Sequence, residues 1–465
     1  MIISEKRLDD CQDKASTDES SEQFRTFFQR DLDKITFSDP FKRLQGKTQV
    51  VPFPDSDHIH NRLIHSLEVA SIARTLGEEC FSKNNPPKFT NRDVGDFISA
   101  AALAHDLGNP PFGHAGEKAF CKFFDDHKKD LKEYLDKHND YSEQNMRDFL
   151  SYEGNALGFR ILTDSKPRLR KTEGGFGLTY STLASYLKYP TRSDKCNKDR
   201  VSEKKHSFLH TEERYVEKIF RELGIDNKED GIWKRYPGSF LVEAADDIVY
   251  NLHDIEDAFR LKLIKFEEIE TNLREIIEST KQYAKKEVDK VDKVDKNEYD
   301  RRIEEKSKIA YLRGKVIRGL IGGCISIFDK NWASISNGEF ENSLIDELKQ
   351  ENSDLREKLK KTKKLVEKKL FQGIPVTEKE LAGFEIINGL LEIFFDALIL
   401  EKDEYRKKHI KRLLPKYYLF KDKDEKEEFK GYELLLNICE YISGMTDSFA
   451  VDLYRKLKGI EISDY

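Results

Sequence analysis

The run F-I-S-A-A-A-L-A-H-D-L-G-N, from Phe97 to Asn109, decides the fold. Its small and apolar residues suit a closely packed helix, and Gly108 with Pro110 and Pro111 stops that helix just after His105 and Asp106. Both ionisable side chains therefore stand at a buried helix end. Neighbouring helix residues point about 100° apart, so this pair converges on one ion only if the ion lies near the axis, beyond that end. Upstream, N-R-L-I-H-S (Asn61 to Ser66) supplies His65, and downstream F-L-V-E-A-A-D-D-I-V-Y-N-L-H-D (Phe240 to Asp254) supplies Asp246. His65, His105, Asp106 and Asp246 form a set of two imidazoles and two carboxylates suited to a divalent metal: Mn or Mg, or else Fe, Co or Zn. Lacking thiolates, the set differs from a structural zinc site and leaves positions open for water and a phosphate oxygen. That is the pattern of a metal phosphohydrolase.

At 465 residues and 38% hydrophobic, with 30 Phe and 19 Tyr, the chain can bury one large core or two intimate ones. Lys and Arg total 81 against 87 Asp and Glu, and the net charge of −6 excludes a polycation built for nucleic acid, leaving only local basic patches. Cys11, Cys80, Cys121, Cys196, Cys324 and Cys439 are scattered without a C-x-x-C pair, which points to a reducing cytoplasm. The opening M-I-I-S-E-K-R-L-D-D has no apolar leader core, and no run reaches the roughly 18 apolar residues of a membrane span. A soluble, cytoplasmic protein with no membrane partner is expected.

Apolar residues recurring at spacings of three and four predict an all-α, multi-helix fold. The expected helices cover 63–79, 93–104, 116–124, 153–162, 212–223, 240–263, 310–328, 344–371, 378–398 and 431–457. The charged run 287–308, with V-D-K three times over, reads as a connector or solvated helix extension. It separates a catalytic core at 41–286, preceded by an extension at 1–40, from a C-terminal helical region at 309–465 that completes the site and makes oligomer contacts. Two lysine-rich stretches carry double readings. Leucines at helical spacing make 355–369 a solvent-facing helix before a polyanion-binding face, and Tyr417, Tyr418 and Phe420 within 411–431 suit packing before stacking on single-stranded bases.

Other residues surround the four candidate ligands. Arg62 precedes His65 by one turn on the same face and would aim a cation at any anion the metal binds. In P-F-G-H-A-G-E, His114 and Glu117 stand three apart, so the carboxylate can orient the imidazole for proton transfer to a leaving oxygen. Asp246, Tyr250 and Asp254 recur at four-residue intervals along one helix ridge, long enough to follow a substrate from phosphate to sugar. Tyr250 would lie against a deoxyribose and refuse a 2'-hydroxyl, while Asp254 would accept from a 3'-hydroxyl.

These words, together with F-K-R-L-Q-G-K-T-Q-V (Phe41 to Val50), Y-E-G-N-A-L-G-F-R-I-L (Tyr152 to Leu162), L-T-Y-S-T-L-A-S-Y-L-K-Y-P (Leu178 to Pro190) and Y-I-S-G-M-T-D-S-F-A (Tyr441 to Ala450), carry a resemblance. The chain resembles the dGTPase-type deoxynucleoside triphosphate triphosphohydrolases of the HD superfamily. The resemblance implies hydrolysis of a dNTP, dGTP first, at the α-phosphorus to give deoxynucleoside and inorganic triphosphate. It implies His65, His105, Asp106 and Asp246 as metal ligands, His114 and Glu117 as the proton-handling pair, and Arg62 on the α-phosphate. Gln49 would meet the 3'-hydroxyl, Val50 would border the nucleoside, Tyr250 and Asp254 would grip the sugar, and Tyr152 with Glu153 would support the catalytic histidine. Lys205, Arg313 and Lys315 are the candidates for the triphosphate. A homo-oligomer, tetramer or hexamer, is implied, with a nucleotide or single-stranded DNA as a possible effector. Asn109 departs from a histidine in a mammalian SAM-and-HD-domain relative. The rival readings are another HD phosphohydrolase, acting on cyclic nucleotides, (p)ppGpp or nucleoside monophosphates, and a nucleotide-sensing or DNA-binding HD protein.

Overall fold

Capping residues set where the site-bearing helices begin. The Asn61 side chain accepts from the Ile64 amide at the head of helix Arg62–Cys80, and Thr90 with Asp93 forms the capping box that starts helix Asn91–Ala104. Among the described residues these two make the most extensive helix pair, and both pack on the central helix Pro237–Arg260. Pro237 opens that helix at a position where its missing N–H costs nothing, and buried Phe240, Leu241, Ala244, Ala245, Ile248 and Leu252 hold it inside the main core. The computed structural model describes residues 2–8, 24–49, 60–82, 88–164, 175–283, 299, 302, 304–371, 374–421 and 424–460.

The architecture is all-α, as expected. Among the described residues the only paired strands are Asn227–Glu229 and Ile232–Trp233 in one short antiparallel hairpin. A second apolar core joins Phe120, Phe123, Phe124 and Phe149 to Phe394, Phe395 and Leu435 from late in the chain. Helix Ile374–Leu398 thereby lies on helix His114–Asp126, so the C-terminal region braces the segment that follows the H-D pair. The expected connector 287–308 falls outside the described residues except at 299, 302 and 304–308.

Two of the expected helices are each broken in two. The 344–371 helix divides into Leu344–Glu351 and Ser353–Val366, with Asn352 ending one and capping the next through the Leu355 amide. The 431–457 helix divides into Gly431–Ser443 and Asp447–Leu457, where Thr446 caps the second through the Phe449 amide. Apolar periodicity runs across both breaks and hides them. The second break is used: Ser443 O accepts from Lys47 Nζ at 2.6 Å, and Asp447 Oδ2 accepts from the Thr48 amide at 3.1 Å. Helices Phe27–Thr36, Glu143–Leu150, Tyr180–Tyr186 and Phe266–Thr280 were not anticipated. Their apolar stripes are short or interrupted by polar residues that are themselves buried.

In the lysine-rich helix, Leu355, Leu359 and Val366 are buried while Lys361 pairs with Glu275 at 2.9 Å, and Tyr418 is buried in the second core. Cys80, Cys121, Cys196, Cys324 and Cys439 are unbridged. Among the described residues no helix is long and apolar enough to cross a membrane.

Candidate metal centre

The H-D pair is held by close packing beneath it. A Cβ at Gly108 would lie 2.1 Å from Gly154 O and 2.2 Å from Gly158 N, so only glycine lets this turn rest on the start of helix Gly154–Thr163. From there the chain turns sharply through Phe112 and Gly113, both at positive φ (63° and 57°), into helix His114–Asp126. The strained Phe112 is anchored by its amide, which donates to Asp447 Oδ1 at 3.0 Å. Backbone strain is thus stored between the H-D pair and the His114–Glu117 pair.

His105, at the C-cap of its helix, donates Nδ1–H to Ala102 O at 2.6 Å. That bond fixes the tautomer and leaves Nε2 with a free lone pair. Nε2 is buried without a hydrogen-bond partner, and so is Asp106 Oδ2. His65 Nε2 lies 3.1 Å from Asp246 Oδ1, His105 Nε2 lies 3.8 Å from the same oxygen, and His105 Nε2 lies 3.5 Å from Asp106 Oδ1. Donor atoms of His65, His105 and Asp246 all fall within 4.8 Å of one another. Ligand bonds of about 2.0–2.2 Å put two donors on one ion at most about 4.4 Å apart, a spacing each of these three distances satisfies. The imidazole nitrogens of His65 and His105 and the Asp246 carboxylate converge at that spacing and fit a divalent cation, while Asp106 Oδ1, beside His105, already accepts from Arg62 and Asn109.

Electrostatics point the same way. Burial alone would raise the Asp106 carboxyl, but Arg62, with Nη1 at 2.9 Å, and the two histidines outweigh it and hold it below the ordinary range. Asp246 is likewise held low against burial by His65, His105 and Lys188. Around them opens a cleft of about 460 Å³ in which Arg62, Lys188, Lys204 and Lys205 face a larger number of carboxylates. An anionic ligand enters such a site only if further positive charge offsets the excess.

The expected site residues distribute unevenly. His65, His105, Asp106, Asp246, Arg62, His114, Glu117, Gln49, Tyr250 and Lys205 all line the cleft. His114 is exposed and its Nδ1 stands 3.2 Å from Glu117 Oε2; burial would raise Glu117, but His114 and Lys205 bring it below its usual value. Lys205 Nζ contacts Glu153 at 2.7 Å. Asp254 is buried outside the cleft lining, and burial with nearby Asp257 pushes its carboxyl up to about 7. Tyr152 sits behind the cleft, stacked on Phe120 at 4.2 Å, its hydroxyl donating to Gly108 O at 3.1 Å. Its place is under the H-D turn. Arg313 lies away from the cleft, 2.9 Å from Glu256, and Lys315 lies over the Tyr311 ring at 5.6 Å. Val50 is outside the described residues.

Lys188 was missed. Its ammonium lies 3.6 Å from Glu243 and 3.7 Å from Asp246, and its only signal in the sequence is its place in L-K-Y-P. Lys204, Asn155 and Tyr189 also line the cleft without having been singled out.

Residues 62–153 match the HD domain, and residues 350–456 match the phosphohydrolase-associated domain. The chain is similar to a deoxyguanosinetriphosphate triphosphohydrolase-like protein of Pseudomonas aeruginosa strain LESB58, 32% identical over 444 residues and 94% of each chain. Relatives of the same description occur in Synechocystis, 33% identical over 453 residues covering 94% of this chain and 95% of the relative, and in Listeria monocytogenes, 32% identical over 468 residues and 94% of each. The chain belongs to the dGTP triphosphohydrolase-like family of HD phosphohydrolases. In this family's terms the HD match begins at Arg62 and ends at Glu153, so it spans the first three donors, the His114–Glu117 pair and the strained turn between them. Asp246 falls between the two matched regions, on the central helix.

Proposed function

We propose that this HD phosphohydrolase hydrolyses a deoxynucleoside triphosphate, with dGTP as the first candidate, to deoxynucleoside and inorganic triphosphate. The observation that carries the reading is the shared cleft. Four donors suited to a metal, the His114–Glu117 pair, three lysines and the Gln49 and Tyr250 side chains all face one cavity. The family names of the relatives support the substrate class.

A divalent ion held by His65, His105, Asp106 and Asp246 would polarise a phosphoryl oxygen and make water more acidic. Arg62, Lys188, Lys204 and Lys205 neutralise the polyphosphate and hold it in register. Water attacks the α-phosphorus, the bond from phosphorus to the 5'-oxygen breaks, and His114 gives that oxygen its proton. The proton lost by water passes to solvent. Glu117 keeps the His114 ring turned to the departing oxygen. Tyr250 lies along the sugar and excludes a 2'-hydroxyl, and Gln49, whose Oε1 is buried without a hydrogen-bond partner, accepts from the 3'-hydroxyl.

The test is to incubate purified protein with each dNTP and with GTP in the presence of Mn or Mg, and to identify the products. Triphosphate and deoxynucleoside are expected from dGTP, with GTP a poorer substrate. Pyrophosphate with dGMP would overturn the cleavage position, and equal turnover of GTP would overturn the sugar contacts.

A further inference from the structure

Behind the cleft, on the far side of His65, lies a second group of imidazoles and carboxylates. The His60 and His253 rings stack with centroids 3.9 Å apart and planes 13° from parallel. His60 Nδ1 donates to Asp257 Oδ1 at 2.7 Å, and His253 Nε2 donates to Glu68 Oε2 at 2.6 Å. Arg313 Nη1 reaches Glu256 at 2.9 Å and Glu68 at 3.6 Å. The group touches the cleft at one point, where His253 Nδ1 faces His65 Nδ1 at 3.4 Å.

His60, Glu68 and His253 bring donor atoms within 4.8 Å of one another, yet the geometry opposes an ion between them. Imidazole lone pairs lie in the ring plane, so stacked rings direct theirs side by side and not to a common point. Counting protons gives a different role. The Glu68 carboxylate only accepts, so His253 Nε2 carries a proton. A second proton on His253 would bury a cation face to face with His60. Its Nδ1 therefore keeps a lone pair, and the 3.4 Å contact requires His65 Nδ1 to donate. His65 Nε2 is then the bare nitrogen, 3.1 Å from Asp246 Oδ1. Two adjacent donors on one ion, each bonded at about 2.1 Å, have about that separation.

From this geometry we infer that Glu68 and His253 are positioning residues for the metal centre. They fix the tautomer and ring orientation of His65 so that its Nε2 faces the ion. Arg313 steadies Glu68, and His60 backs His253 by stacking. The inference rests on His65 being a ligand, and ion binding tests it without any substrate.

Titration of the full-length protein with Mn or Co, followed by calorimetry, gives affinity and stoichiometry. One ion per chain is expected. His253→Phe keeps the stack and removes both nitrogens, and its ion affinity should fall about tenfold to a hundredfold. His253→Asn restores an acceptor near the Nδ1 position and should recover most of that loss. Glu68→Ala, at a partly exposed site and so independent of whether the His253 variants fold, should weaken binding about tenfold. Wild-type affinity in folded His253→Phe or Glu68→Ala would overturn the relay while leaving the metal centre standing. Two ions per wild-type chain would make the second group a site of its own and also overturn the relay. A wild-type chain that binds none would remove the metal centre, and the relay with it.

Discussion

The two groups of histidine and carboxylate lie back to back, joined by the contact between His65 and His253, and they are built from the same residue types. Their hydrogen bonding separates them. At the cleft, His105 Nε2 and Asp106 Oδ2 are buried without a partner, and the Nε2 atoms of His65 and His105 approach one carboxylate oxygen. Behind it, His60 Nδ1 and both nitrogens of His253 are already engaged, and Arg313 pairs with Glu256. Asp257 Oδ2 is unpartnered behind the cleft as well, so the distinction between a candidate metal centre and a structural network lies in the imidazole nitrogens, unspent at His105 and engaged at His253.

The strongest way to break that contrast is to remove a donor on each side. His105→Ala takes away a nitrogen with no other task than the ion. Its turnover should fall by a thousandfold or more, on the order of the several kcal/mol that a metal supplies to a phosphoryl transition state. Chelation of the wild type with EDTA should have the same effect, reversed by added Mn. If His105→Ala retained turnover, the cleft group would be as structural as its neighbour. A smaller loss, about a hundredfold or more in kcat, is expected of His114→Ala. Ion affinity should stay at the wild-type level there, because His114 bonds Glu117 and none of the four donors. Calorimetry beside steady-state kinetics separates the two variants.

The cleft was largely legible in the sequence because its key signals are local. A helix-stopping glycine fixes the H-D pair, Asn61 fixes the phase of the helix bearing Arg62 and His65, and His114 and Glu117 lie one turn apart. The network behind it was not legible. Glu68 and His253 stood inside or beside quoted words, but their meeting depends on how helix Arg62–Cys80 rotates against Pro237–Arg260, a matter of core packing across 185 residues of chain. Arg313 shows the same limit. As an isolated cation it read as a triphosphate contact, whereas packing of helix Glu305–Lys330 turns it to Glu256 and Glu68. Lys188, conversely, reaches Asp246 only because the segment after helix Tyr180–Tyr186 folds back toward the central helix.

The smallest effect on turnover, and the sharpest on stability, belongs to His60. Burial alone would lower its pKa, but the Asp257 hydrogen bond, with Asp257, Glu256 and Glu68 as nearby negative charges, raises it above the ordinary histidine value. His253 stacks on His60, and Arg313, Arg260 and Asp254 are further ionisable groups near its carboxylate partners. A raised folded pKa means that the protonated form is favoured by folding. The stabilisation is complete below the unfolded value and is lost as pH rises through the folded one. His60→Ala leaves Asp257 buried without its donor, so a loss of about 1–3 kcal/mol is expected near pH 5.5, at about one unit below the ordinary histidine value. That loss should shrink as pH rises through the raised folded value, above which wild-type His60 is neutral too. Urea unfolding of both proteins across this range measures the difference, and kcat should change less than in His105→Ala or His114→Ala. A gap that widened with pH would mean that His60 is held neutral in the folded protein.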